Sequence, residues 1–208
     1  MKISNIAQKC KGTKSAYIID CRSYQFIGNG HAMYKAAGLP EINPENIPAL
    51  FGLSQKDWID NWTSRRVPQT AVEISFDDFN ESDELAEQPY TSIVLNGEVI
   101  RCFIGNRSKE MIFVKGWYIE NLSSDETEYY MRRTHGGKPV LAVKAGLLTE
   151  AIIYPMSVFP KKLSDRMFDF AGAIATQCKS YEHVEDATQI TINDQGDTEA
   201  YAEEGEEE

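Results

Sequence analysis

The chain has 208 residues, 42% of them hydrophobic and 11% aromatic, which is enough to bury a core in one domain or two small ones. Its formal charge of -11 comes entirely from the C-terminal end: residues 182–208 hold 11 acidic side chains and no lysine or arginine, while residues 1–181 balance 21 against 21. Composition thus excludes a strongly basic nucleic-acid binder, and no apolar run reaches the 18 or so residues that span a bilayer. No apolar signal segment follows Met1-Lys2-Ile3, so a soluble, cytoplasmic protein is expected.

The elements follow in order along the chain. Ile3, Ile6, Ala7 and Cys10 recur at helical spacing with Ser4 or Asn5 as cap, predicting a short amphipathic helix. Residues 16–20 and 24–28 form two strand-like runs around the polar Cys21-Arg22-Ser23, a β-hairpin, and Gly28-Asn29-Gly30 then suits positive backbone angles before a strand at 31–36. From Pro44, Ile47, Leu50, Phe51 and Leu53 share a helical face; Trp58, Ile59 and Trp62 prolong this helix or form a separate turn. A strand is expected at 71–76.

An acidic stretch follows, with Asp77, Asp78, Glu81, Asp83, Glu84 and Glu87 and no lysine or arginine between Val67 and Ile100. Its centre lacks periodicity, so 77–90 reads as an exposed, solvated connector. Beyond it, 92–95 and 98–104 flank Asn96-Gly97, the strongest short hairpin signal in the chain. Further strands are expected at 111–114, 128–132, 140–143 and 150–154, with a short helix at 115–122. Leu163, Met167, Phe170, Ala171, Ile174 and Cys178 then define an amphipathic helix.

These readings give an α+β protein with five segments: a β-rich half unit at 1–76, the connector at 77–90, a related half unit at 91–159, a C-terminal helix at 160–181, and an acidic disordered tail at 182–208. Each half unit is expected to be an antiparallel sheet with a short helix packed on it. The tail is too poor in apolar residues to repay the entropy of ordering. It is read as a solubilising tail, or as a nucleic-acid mimic that competes for a basic surface.

Four short stretches together resemble bacterial DNA sliding clamps. Gly30-His31-Ala32-Met33-Tyr34 looks like the clamp strand that reads Asp-Gly-His before a basic and apolar pair, with Asn29 in place of the Asp. The run 42–51 resembles the next clamp element, in which a proline opens a short helix. The run 113–122 is similar to the corresponding helix of the last clamp domain, and Ile152-Ile153-Tyr154-Pro155-Met156 to that domain's closing strand. The resemblance covers roughly residues 3–158 and implies a non-catalytic processivity factor, phage or mobile-element encoded given its reduced size. With only two such units per chain, a ring around double-stranded DNA would need a homo-oligomer of about six copies. The alternative is a monomeric or dimeric clamp-fold accessory or inhibitory factor that binds a replication or defence protein without encircling DNA.

DNA binding requires cations on one surface. The candidates are Lys2, Lys9, Lys11 and Lys14 on or after the first helix, with the pairs Arg65-Arg66 and Arg132-Arg133. Lys161-Lys162 is a further basic pair. Partner binding is placed at Tyr154, Pro155 and Met156, with Met167 and Phe170 of the C-terminal helix either covering that surface or binding a partner themselves. No enzyme is expected. His31, His135 and His183 are scattered, Gly28-x-Gly30 lacks the rest of a dinucleotide fingerprint, and the connector carboxylates are read as solvated rather than metal-binding. Cys10, Cys21, Cys102 and Cys178 show no metal or disulfide spacing, and no cofactor is called for.

Overall fold

A computed structural model describes residues 2–89, 92–95, 97–122 and 127–156, together with two further strands at 188–192 and 198–202. The chain is mixed α+β, rich in sheet and with few, short helices. No helix among the described residues is long and apolar enough to cross a membrane. The expected C-terminal helix, with Met167, Phe170 and Cys178, lies outside the described residues, as do Lys161, Lys162 and His183.

The expected division at 77–90 is replaced by another. One compact unit comprises residues 1–85 and 118–154, the other residues 86–117 and 155–208. The reason is strand pairing. Strands β9 (Thr127–Arg133), β10 (Pro139–Ala145) and β11 (Leu148–Ile153) were assigned by sequence to a second half unit. They instead extend the first sheet, because Ala151, Ile152 and Ile153 pair antiparallel with Tyr34, Met33 and Ala32 of β3 (Ala32–Lys35).

Unit 1 is built on one sheet. Its strands run β9, β10, β11, β3, β2 (Gln25–Gly28), β1 (Ser15–Asp20) and β4 (Thr63–Pro68), with the first residues of β5 (Glu84–Glu87) beside β9. All neighbours are antiparallel except β1 and β4. The hairpin of β1 and β2 forms as expected, Ile18 opposite Ile27 and Ile19 opposite Phe26. The strand expected at 71–76 is instead a 3-10 turn at Gln69–Ala71 and an extended coil, and the last strand of this region is β4, which sequence reading passed over. Its residues Thr63-Ser64-Arg65-Arg66 are polar because it lies at the sheet edge, pairing with β1 alone among the described residues.

The sheet has two differently covered faces, since side chains alternate along a strand. Helix α1 (Ile3–Thr13) packs on β1 and β2, burying Ile6, Ala7 and Cys10, and also meets α2 (Ile47–Phe51). Its N-cap is Lys2, without a side-chain capping bond, rather than Ser4 or Asn5. The helix expected from Pro44 is broken by Gly52, whose left-handed φ of 63° ends α2. A new helix, α3 (Gln55–Asn61), starts on a Ser54 cap and carries Trp58, whose ring lies tilted 5.3 Å from that of Trp62.

The opposite face buries Ile19, Phe26, Met33, Val140, Ala142 and Ile152 beneath Ile74 and Phe76. Each fully buried side chain of this size contributes roughly 1.5–3 kcal/mol. The coil that follows the 3-10 turn is therefore a strap over the sheet, pinned by two apolar plugs.

Unit 2 has strand β7 (Glu98–Gly105) at its centre. One edge of β7 takes β8 (Met111–Lys115); the other takes β6 (Ser92–Leu95) and then Ala86 and Glu87. Leu95 faces Glu98 across a two-residue turn, with Gly97 at φ 76°, as the Asn-Gly signal required. The short helix that follows, α4 (Gly116–Ile119), is only four residues long. The tail, expected to be unstructured, contains strands β12 (Thr188–Ile192) and β13 (Thr198–Ala202); β12 pairs with β13 and, in parallel, with β6. A β-branched run, Ile190-Thr191-Ile192, suits that pairing despite the surrounding charge.

Candidate functional site

The strapped face of the unit 1 sheet carries charge at one end and an opening at the other. At the charged end, Arg132 on β9, Lys144 on β10 and Lys35 on β3 all point to the strap side, in step with Tyr130, Ala142 and Met33. Arg132 is 0% exposed. Its Nε and one terminal nitrogen grip Asp83 at 2.6 and 2.8 Å, a bidentate pair, and the other terminal nitrogen donates to the carbonyls of Ser75 (2.8 Å) and Asp77 (3.0 Å). Lys144 adds a second cation to Asp83 at 2.6 Å and lies over the Tyr130 ring. Lys35 reaches Asp78 at 3.1 Å and lies over Tyr24. Asp78 also accepts from the Thr149 backbone N–H at 2.8 Å.

The acidic stretch is therefore neither an exposed connector nor simply solvated. Asp78 and Asp83 meet buried cations, and Glu84 begins a strand. Three cations buried in otherwise apolar strands are tolerable only because these carboxylates arrive. Cys21 adjoins this end; burial, with the charges of Asp77 and Asp20, pushes its thiol up to about 12.

At the other end the strap begins at Ala71 and Val72 and leaves the sheet open. A groove of about 220 Å³ lies there, walled by Tyr17, Ile19, Met33, Val67, Val72 and Tyr154. Parallel pairing sets Tyr17 beside Arg65 and Ile19 beside Val67, so Arg65 stands on the groove's rim. Arg65 is exposed, and its side chain forms no ion pair or hydrogen bond among the described residues. Gly30, at φ 84°, lines the same groove, and a Cβ there would come within 3.2 Å of the Tyr17 ring, so glycine is needed to keep both the turn and the ring in place. Tyr154 is half-buried; burial and then the charge of Glu73 raise its phenol.

A polar cleft of about 450 Å³ opens near the far end of β1, lined by Asp20, Cys21, Tyr24, Gln25, Glu41 and Arg66, among others. Its charges are already matched. Arg66 binds Asp20 at 2.7 Å and Glu41 at 2.6 Å, and Gln25 joins Asp20 at 2.7 Å. Burial pulls the Asp20 carboxyl upward, but hydrogen bonds from Arg66 and Gln25 outweigh it and hold Asp20 below its ordinary value.

The structure disperses the residues expected to bind DNA. Arg132 is buried, and Arg66 is committed to two carboxylates. Lys9 is buried, and desolvation lowers its pKa against the pull of Glu120. Arg133 donates to the Gly137 carbonyl at 3.2 Å. Lys2, Lys11, Lys14 and Arg65 are exposed. Lys11 occupies the last turn of α1 and Lys14 its left-handed C-cap, and the Lys14 carbonyl accepts from Thr63 at the start of β4. Lys11, Lys14 and Arg65 are thus brought to one edge; Lys2 sits at the other end of the helix. The predicted partner run is divided: Tyr154 belongs to the groove of unit 1, while Pro155 and Met156 belong to unit 2, where Met156 N–H donates to the Phe113 carbonyl.

The Gly28-Asn29-Gly30-His31 stretch is a structural corner. Asn29 is buried; its side-chain oxygen accepts from the N–H groups of His31 and Ala32, and its amide donates to the Lys9 carbonyl (3.1 Å) and Tyr118 hydroxyl (3.3 Å). An aspartate could not donate to Lys9, which accounts physically for Asn at this position. His31 is exposed, its ring 6.2 Å from that of Tyr118.

Among the described residues no group of three or more histidine, cysteine, aspartate or glutamate side chains is placed to hold a metal ion. Sequence reasoning missed the structural role of Lys35, Arg132 and Lys144. The available signal was their position in apolar strands together with a long acidic stretch that held no cation of its own. Comparison with protein-family models, with curated proteins and with solved structures finds no match to the chain.

Proposed function

We propose that the chain is a non-catalytic binding protein whose unit 1 groove receives an apolar side chain from a partner segment that also carries acidic residues. The observation behind this reading is Arg65. It is an exposed cation with no described counter-charge, on the rim of an apolar, tyrosine-walled groove. A segment that places an aromatic or aliphatic anchor between Tyr17 and Tyr154 and a carboxylate at Arg65 satisfies both features. Such a protein acts as an accessory or inhibitory factor, and the resemblance to sliding clamps, which capture partner peptides, points to replication machinery as the setting.

The test is binding of a labelled peptide panel, followed by fluorescence anisotropy. Peptides pairing an aromatic residue with aspartate or glutamate are expected to bind, and charge-reversed or aromatic-free peptides to bind at least about tenfold more weakly. Tyr154→Ala and Arg65→Glu are expected to abolish the difference. Equal binding across the panel, or none, overturns the reading.

A second reading, tethering to double-stranded DNA, is favoured by one observation: Lys11, Lys14 and Arg65 share an edge. Three phosphate contacts give a slope of about -2.7 in log affinity against log salt. Lys11→Glu with Lys14→Glu should reduce both affinity and slope, and an unchanged slope removes this edge from DNA binding.

A further inference from the structure

The most outward aromatic group in unit 1 is Phe79, 81% exposed. A lone exposed apolar side chain is ordinary, but the loop holding this one is braced on both sides. Before it, Asp78 accepts from Lys35 and from Thr149 N–H. After it, the Asn80 side-chain oxygen accepts from the N–H and hydroxyl of Ser82, the Asn80 carbonyl accepts from Asp83 N–H, and Asp83 is gripped by Arg132 and Lys144. The ring is thus held out in water by a preorganised loop, which lowers the entropy cost of docking it. The Thr149 bond also sets Leu147 and Leu148, 87% and 50% exposed, at the same end of the unit.

Exposed carboxylates stand on both sides of Phe79 in the loop. Lys35, Arg132 and Lys144 are turned inward onto Asp78 and Asp83, whereas Asp77 and Glu81 are exposed, and among the described residues the Asp77 carboxylate receives neutral donors, Gln69 and Ser75. The groove is the complement: concave, apolar, of a size for one aromatic side chain, and rimmed by Arg65, whose side chain has no counter-charge among the described residues. Glu73, whose charge acts on Tyr154, leaves the Arg65 rim as the place for a partner's carboxylate.

We propose that the occupant of the groove is the Phe79 loop of a second copy of this chain, with Phe79 between Tyr17 and Tyr154 and Asp77 or Glu81 at Arg65. The inference rests on the reading of the groove as a binding site and names its partner. Loop and groove are different patches of one unit, so the contact is heterologous; each added copy brings a free loop and a free groove, and assembly continues until it closes or extends.

The test is the mass of the full chain by light scattering over a concentration range, at low and physiological salt, with Phe79→Ser and Arg65→Glu variants whose folding is checked by circular dichroism. Wild type is expected to gain mass with concentration, more so at low salt, and each variant to stay monomeric. Mixed in equal amounts, the variants are expected to form a one-to-one dimer and stop, because Phe79→Ser retains the groove and Arg65→Glu retains the loop. A wild-type monomer at every concentration, association that survives either substitution, or a mixture that stays monomeric overturns the proposal. The peptide panel separates the two failures: if acidic aromatic peptides still bind a wild-type monomer, the groove stands and only its occupant is wrong, and if they do not, both readings fall.

Discussion

One face of one sheet holds two kinds of cation. At the strapped end Arg132, Lys144 and Lys35 lie buried under residues 74–83 and each meets an aspartate. At the open end Arg65 projects from the edge strand beside two tyrosines and meets none among the described residues. In the sequence they are alike in residue type, and nothing beside them marks which will be paired. What separates them is whether a carboxylate elsewhere in the chain folds back onto them, and that decides whether the charge supports the fold or is free for a partner.

The sharpest way to break this comparison is to remove the shared counter-ion. Asp83→Ala leaves Arg132 and Lys144 buried without it and is expected to cost about 3–5 kcal/mol, read from the urea midpoint, while Arg65→Ala should change stability by no more than about 0.5 kcal/mol. Equal effects at the two sites would mean that the strap does not bury its cations. On the opposite face, Asn29→Asp removes the donor to the Lys9 carbonyl and is expected to cost about 1–3 kcal/mol in the same assay.

At the open end the expected loss is of binding rather than of fold. Tyr154→Ala and Arg65→Glu should lose discrimination among the peptides while their far-ultraviolet circular dichroism stays that of the wild type; a collapsed spectrum would make the groove part of the core instead. The smallest effect concerns the thiols. Burial raises Cys10 and Cys21 to about 12 from an ordinary value of 9.0, so the folded state keeps protons that the unfolded chain releases. That stabilisation is complete below about pH 9 and is lost as pH rises toward 12. Alkylation of Cys21 at pH 8 should be slow in the wild type and faster in Asp83→Ala, where the strap is loosened; equal rates would detach Cys21 from the strap.

The edge strand shows how far the sequence could be read. Alternation correctly marked the strands of the first hairpin, of the Asn-Gly hairpin and of β9 to β11, because a half-buried strand writes its own period of two. It missed β4, whose polar run Thr63-Ser64-Arg65-Arg66 has little apolar period to detect, and it placed a strand at 71–76, where Ile74 and Phe76 alternate because they plug the sheet from above. Of the candidate site, Tyr154 and Arg65 were chosen from sequence for unrelated reasons; that they share a groove follows from β1 pairing with β4 and β3 with β11.

By itself, then, the amino-acid sequence determined those strands that alternate with a period of two, where the Asn-Gly and Gly28-Asn29-Gly30 corners turn, and that the charge of residues 1–181 is balanced. Those are local properties, set by side-chain alternation, backbone angles and composition. Only the tertiary structure decided that strands more than a hundred residues apart form one sheet, that Asp78 and Asp83 belong to Lys35, Arg132 and Lys144, and that the Arg65 side chain meets no counter-charge among the described residues. The physical reason is that pairing and burial are relations between distant residues: the same carboxylate is a solvated charge in a connector or the counter-ion of a buried arginine, according to what the fold brings against it.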